Sequence, residues 1–188
     1  MTTQGVPIFS IGHGTISADE FVALLHVAEI GRLVDVRSIP KSRHNPQFAG
    51  EALAETMREA GIEYFWDSRL GGFRSAPPEG SPDIALRHAS FRNYAGHMRT
   101  DAFHAGRDGL LGGAREHPTA IMCSESLWWR CHRRLIADHL ELVCATPVLH
   151  VMHNGRIVPH RPTEGARVIP GDLVYDRAAG QEPLPLES

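Results

Sequence analysis

Residues able to do chemistry concentrate in Ala120–Arg134, AIMCSESLWWRCHRR. Two thiols (Cys123, Cys131), one imidazole (His132), one carboxylate (Glu125), two indoles and three guanidinia fall within this stretch. A thiol at a strand-to-helix turn is favoured as thiolate by the helix N-terminus. The phosphatase reading fails on spacing, because that loop needs Cys, five residues and Arg. Here Arg130 follows Cys123 after six, and Glu125 stands where an anion cradle wants bare backbone N–H groups. Cys123, Cys131 and His132 also have the donor types of a metal site. The thiols are eight positions apart, however, with no Cys-x-x-Cys knuckle, so Cys131 also reads as a small core residue.

Two carboxylates compete with the thiols. Asp35 and Glu125 fall at the ends of apolar runs, where a carboxylate can orient water or offset cationic charge on a sugar. Each also has a plain structural use, Asp35 as an ion-pair partner of Arg37 and Glu125 as a first-turn helix residue. His13 and His153 follow two further apolar runs and could share in proton transfer. The cations cluster too: Lys41, Arg43 and His44 lie in one segment, and Arg130, Arg133 and Arg134 are expected on one helix face. With Trp128, Trp129, Tyr94 and Phe73 they have the composition of a nucleic-acid or nucleotide site, guanidinia for phosphates and rings for bases.

The elements that must position these groups follow from periodicity. Pro7–Gly12 reads as a buried strand delivering His13. Ser17 and Glu20 form a capping box ahead of a helix with Phe21, Leu24, Leu25 and Ala28 at helical spacing. Arg32–Arg37 is a second strand, so the chain opens with a strand–helix–strand unit and a parallel sheet is expected. Further helices are expected at Glu51–Ala60, Ile84–Met98, Asp101–Arg115 and from the Cys-Ser-Glu turn to about Leu142. Further strands are expected at Ile62–Trp66, Thr119–Met122 and Pro147–Met152. Leu70-Gly71-Gly72 is either a turn or a place of close backbone approach. The expected architecture is α/β: a mostly parallel sheet of about five strands with helices on both faces. One domain should span 1–160, with a Pro-rich arm, 161–188, packed on it. In such sheets ligands bind beyond the carboxyl ends of the strands, where His13, Asp35, Arg37, Cys123, Glu125 and His153 are expected to converge.

The totals narrow the class. With 188 residues, 42% of them hydrophobic, the chain can bury a core without staples. Three Cys do not make a disulfide framework, and a reducing cytoplasm is the expected compartment. No apolar run reaches the roughly 18 residues of a membrane span, so no membrane partner is expected. A net charge of −3 argues against a wholly basic nucleic-acid-gripping surface but allows a local basic groove.

Several spaced motifs occur together: Gly12-His13-Gly14, Val34-Asp35-Val36-Arg37-Ser38-Ile39-Pro40 with Ser42-Arg43 and Pro46-Gln47-Phe48, Leu70-Gly71-Gly72, Tyr94–Thr100, Cys123-Ser124-Glu125 and Cys131-His132-Arg133. As a set, from roughly Phe9 to His160, they resemble the bacterial and archaeal domain-of-unknown-function 488 family. The resemblance implies an α/β fold and a cytoplasmic prokaryotic protein, and says little about the reaction. The family pattern begins Gly-His-Ser, so Gly14 departs from it and would lack a hydroxyl contact.

Three functions follow as expectations. The first is an enzyme acting on a nucleobase-containing substrate, with DNA or a nucleotide as partner, in particular a DNA glycosylase hydrolysing the N-glycosidic bond of a modified or damaged base. Asp35, Glu125, His13 and His153 would do the chemistry, and Arg37, Arg43, Tyr94, Trp128, Arg130 and Arg133 would bind. No cofactor is called for in that scheme. The second is a thiol- or metal-dependent enzyme centred on Cys123, with Cys131 and His132, in which a divalent metal has a place. The third is a non-catalytic nucleotide- or metal-binding module. Oligomeric state is left open.

Overall fold

A computed structural model describes residues 5–76 and 80–177. A six-stranded sheet runs through it in the order β3-β2-β4-β1-β5-β6, formed by β1 (Ile8–Gly12), β2 (Arg32–Asp35), β3 (Glu63–Trp66), β4 (Thr119–Cys123), β5 (Val148–Val151) and β6 (Ile157–Pro159). The first five strands are parallel. β6 pairs antiparallel with β5 at the edge, one strand more than the sequence suggested. Its three residues are too short and too exposed to leave a hydrophobic signature.

Side chains alternate across the sheet and build two cores. On one face, α1 (Ala18–Val27) and α2 (Gly50–Glu59) bury Phe21, Leu25, Leu53 and Met57 against Ile11, Leu33 and Met122. On the other, α3 (Ala89–Met98), α4 (Asp101–Ala114) and α5 (Arg133–Leu142) bury Tyr94, Phe103, Leu135 and Leu140 against Ile8, Val34, Ile121 and Val148. The chain is therefore α/β with helices on both faces, in a single domain. The Ser17–Glu20 capping box that starts α1 is formed in both directions.

Two expected helices are shorter than their patterns suggested. Ile84–Met98 is helical only from Ala89, because its first residues are held by another element. Buried Asp83 accepts from the Arg99 guanidinium and the Tyr175 backbone N–H, and Ala85 N–H bonds the Tyr175 carbonyl. The helix expected to follow the Cys-Ser-Glu turn starts only at Arg133. Before it lies a single 3-10 turn, Trp128–Arg130. Arg130 therefore does not share a helix face with Arg133 and Arg134.

The segment after 160 forms a two-stranded hairpin of β7 (Ala166–Ile169) and β8 (Asp172–Tyr175). Tyr175 is fully buried and donates to Asp138, 2.9 Å away. Residues 178–188 of the expected arm lie outside the described residues.

Candidate functional site: a thiol–imidazole cluster at the strand ends

The connection leaving β1 runs toward β2 and that leaving β4 runs toward β5, so these neighbouring strands part to opposite sides. Their carboxyl ends frame the crevice where open α/β sheets bind ligands. Gly12 and Cys123 are paired residues at that point. Gly12 is required there: a Cβ would run into the Glu125 carbonyl and sit 2.7 Å from the Arg133 guanidinium.

Cys123 ends β4, and Cys131 and His132 immediately precede α5. The excursion 124–130 loops out and returns, so residues eight apart in sequence meet. The two thiol sulfurs and a His132 ring nitrogen lie within 4.8 Å of one another. The His132 ring orientation is fixed. Its Nε2 is 2.9 Å from the Val36 carbonyl oxygen, which can only accept, so Nε2 carries the proton. Nδ1 then presents a lone pair to the Cys131 sulfur, 3.5 Å away. Tyr94 packs behind the ring, with centroids 5.0 Å apart, and its own hydroxyl donates to the Leu70 carbonyl. Tyr94 is thus a buried wall of the cluster, with no free face for a base.

Leu70-Gly71-Gly72 proves to be a place of close approach. A Cβ on Gly71 would lie 2.7 Å from Ser38 Cα, and one on Gly72 would lie 2.6 Å from His132 Nδ1. Gly72 therefore keeps the space beside that nitrogen clear.

Below the thiols, Arg133 is 1% exposed yet among the described residues bonds only neutral acceptors, the Ser10 hydroxyl at 3.0 Å and the Glu125 carbonyl oxygen. A buried guanidinium without a carboxylate favours negative charge nearby. Burial opposes ionisation of Cys131, but the Cys123 thiol, the His132 ring and Arg133 outweigh it and hold Cys131 well below the ordinary thiol range. Cys123 moves the other way, chiefly through its hydrogen bond to Cys131 and then through burial. The pair gives up its first proton readily and retains the second.

The cluster opens into a cleft of about 460 Å³. Arg37, Lys41 and Arg130 bring positive charge to its walls, Phe73 and Phe91 bring ring faces, and Glu125 brings the carboxylate. Phe73 is 85% exposed, and its backbone N–H is held by the Ser38 hydroxyl at 2.8 Å. One Glu125 oxygen accepts from the Leu127 N–H at 3.0 Å. A second hollow of about 550 Å³ adjoins, sharing Lys41, Ser124 and Glu125 and adding His13, Arg43 and His44.

The other expected site residues are placed less directly. Asp35 is fully buried and takes the Arg37 guanidinium (Nε at 2.9 Å) and the Tyr64 hydroxyl at 2.8 Å. It positions Arg37, which also donates to the Phe48 carbonyl at 2.8 Å. His13 stacks on Phe48, centroids 4.2 Å apart, with Nδ1 donating to the Gly14 carbonyl and Nε2 without a partner among the described residues. Burial lowers its pKa to about 4, helped by Arg37. His153 donates from Nε2 to the Gly12 carbonyl at 2.6 Å and lines neither hollow.

Trp128 stacks on His150, centroids 4.1 Å apart, over a buried chain running His150–His160–Asp138. It is therefore a cover for that chain and not a base platform. At Gly14, where the resemblance leads one to expect Ser, φ is +53° and a Cβ would meet the Ser126 hydroxyl. Ser126 fills the space of the missing side chain.

The fold and the crevice define a doubly wound α/β protein with a Cys–Cys–His cluster at its topological switch point. The chain belongs to the family described as Domain of unknown function DUF488, whose model matches residues 17–140. That span includes β2, the Cys123-Ser124-Glu125 turn and Cys131-His132-Arg133. No curated protein and no solved structure matches the chain.

Proposed function

We propose that this chain is a metal-dependent hydrolase that cleaves a C–N bond of an anionic, nucleobase-containing substrate. Cys123, Cys131 and His132 would hold a divalent metal of the zinc class. The observation that carries the reading is the tether of His132 Nε2 to Val36, which leaves Nδ1 beside two thiols at the mouth of a cleft. A metal-bound His commonly donates its other N–H to such a carbonyl. Three protein ligands with a position open to a cleft are the catalytic form of a zinc site, and the structural form is closed. A metal held there supplies Lewis acidity and lowers the pKa of water.

The chain's own residues do the rest. Lys41 and Arg130 take the anionic part of the substrate, with Arg37 behind them held in place by Asp35. Phe73 and Phe91 receive a planar ring. Glu125, beside the thiols but outside the ligand set, accepts the proton from water. Zinc enzymes that hydrolyse nucleobases combine the same groups, one His, two Cys and a carboxylate that is not a ligand. The N-glycosidic scheme expected from the sequence offered either Asp35 or Glu125 as its carboxylate. With Asp35 engaged by Arg37 and Tyr64, Glu125 is the one left facing the cleft.

The uncompensated charge of Arg133 favours a second reading, metal-free thiolate chemistry at Cys131. Metal analysis, followed by assays of nucleosides, nucleotides and modified-base oligonucleotides, separates the two. Free base reports glycosidic cleavage and ammonia reports loss of an exocyclic amine. Chelation should abolish turnover and zinc should restore it. Turnover that survives chelation but not alkylation would replace the metal reading with the thiolate one.

A further inference from the structure

Away from the cleft, at the C-terminal end of α5, His104 of α4, His139 of α5 and Asp172 at the start of β8 converge. One Asp172 oxygen lies 3.1 Å from His104 Nε2 and 3.4 Å from His139 Nε2, and the three donor atoms lie within 4.8 Å of one another. We infer that these residues form a second metal site, for a divalent transition metal of the zinc class, which fastens the tip of the β7–β8 hairpin to α4 and α5. The inference does not rest on the reading of the cleft.

The donor set suits such an ion. Two imidazoles and one carboxylate bind zinc and its borderline neighbours better than calcium or magnesium, which prefer all-oxygen sites. Both histidines aim the same ring nitrogen at one oxygen, so small movements separate the donors around an ion. The second shell is compatible too. His139 is fully buried, and its other ring nitrogen faces the Cys144 sulfur at 3.8 Å. A thiol can donate or accept, so the ring can give up its Nε2 proton and keep a partner. Phe103 packs against the same ring with centroids 5.1 Å apart, which fixes its orientation. His104 and Asp172 are partly exposed, leaving an approach from solvent. The nearby charge of Arg107 is matched by its ion pair with Asp108, 2.8 Å away.

The position gives the ion a mechanical role. The hairpin is held at its β8 end by Tyr175 to Asp138 and by Arg99 to the Leu173 carbonyl. At the tip, where Ile169 pairs with Asp172 beside Gly171, the Asp172 carboxylate meets two helices. An ion there would convert two hydrogen bonds into one coordination unit spanning three elements.

The test uses the full chain with Cys131→Ser and His132→Gln, so that the cleft cannot bind. Zinc or cobalt(II) should bind at about one equivalent and raise the Tm. His104→Ala and Asp172→Asn should each abolish both effects while far-UV circular dichroism stays unchanged. Cys144→Ser should retain both. The proposal is overturned if the starting protein takes up no metal, or if His104→Ala and Asp172→Asn bind as well as it does.

Discussion

His132 and Val36 are far apart in sequence, yet the 2.9 Å bond between the imidazole Nε2 and the Val36 carbonyl decides how the cluster can act. The bond commits the ring to one tautomer and turns its lone pair toward Cys131. Had the ring been free to rotate, neither a ligand nor a base role could be assigned to a particular nitrogen. Replacing the ring is therefore a direct test. His132→Gln should reduce zinc affinity by at least about 10-fold, the lower end of the loss seen even when only an outer-shell partner is removed. Competition with a chromogenic chelator reads this, and unchanged affinity would remove His132 from the ligand set.

Asp35 is expected to matter for stability and for Arg37, not for bond cleavage. Asp35→Asn leaves a buried guanidinium without its counter-charge and should cost about 3–5 kcal/mol. Tyr64→Phe removes one hydrogen bond to the same carboxylate and should cost about 1 kcal/mol with turnover largely kept. Urea denaturation and the kcat of Tyr64→Phe measure both. A large kcat loss in Tyr64→Phe without a stability loss would return Asp35 to the chemistry.

Gly14→Ser would place a side chain at a backbone φ of +53°, against the Ser126 hydroxyl. Left-handed strain alone costs about 1–3 kcal/mol, and the clash adds to it. Ser126→Gly in the same chain should recover the clash but not the strain. Thermal melts of the single and double variants give the two parts. A Gly14→Ser protein as stable as the parent would show that the two side chains do not compete for one space.

Acid should destabilise the protein well before the carboxylates titrate. Burial lowers His13 to about 4 and, with the like charges of His160 and Arg133 repelling a protonated ring, lowers His150 to about 3, against an ordinary value of 6.5. Between those values the unfolded chain binds protons that the folded chain refuses. Stability is therefore full above about pH 6.5 and falls as the pH drops toward 4. Each pKa unit is worth about 1.4 kcal/mol, so the two rings together account for several kcal/mol. Denaturant midpoints at pH 7, 6 and 5 should fall in step, and a flat profile would contradict the burial of both rings as neutral species.

The fold was legible in the sequence where a segment's own pattern sets its structure. The capping box at Ser17, the strands ending at Gly12 and Asp35, and the helices on both faces follow from local apolar spacing. Patterns misled where a distant residue captured the backbone. Asp83 and Tyr175 took the first turn expected of α3, and the Glu125 side chain and Trp128 stacking took the start expected of α5. The cluster itself was half visible. Cys123, Cys131 and His132 stood out by type, but a spacing of eight matches no short metal-binding turn. It becomes meaningful only because β4 and α5 lie together and the intervening loop closes on itself. Gly72 carried part of the missing signal: its segment read as either a turn or a close approach, and its backbone proves pressed against His132.

The placement of β4 between β2 and β1 bears on how the molecule is made. A chain emerging from its N-terminus delivers β1, β2 and β3 first, but β1 and β2 have no pairing with each other. The gap stays open until Thr119–Cys123 arrives, after a long excursion through α3 and α4. Such distant pairings are slow to form and leave strand edges uncovered in the meantime. The same insertion that zips the sheet also brings Cys123 beside Gly12. Closing the gap between β1 and β2 is thus a precondition for the thiol cluster, so a chain synthesised only through α4 has neither.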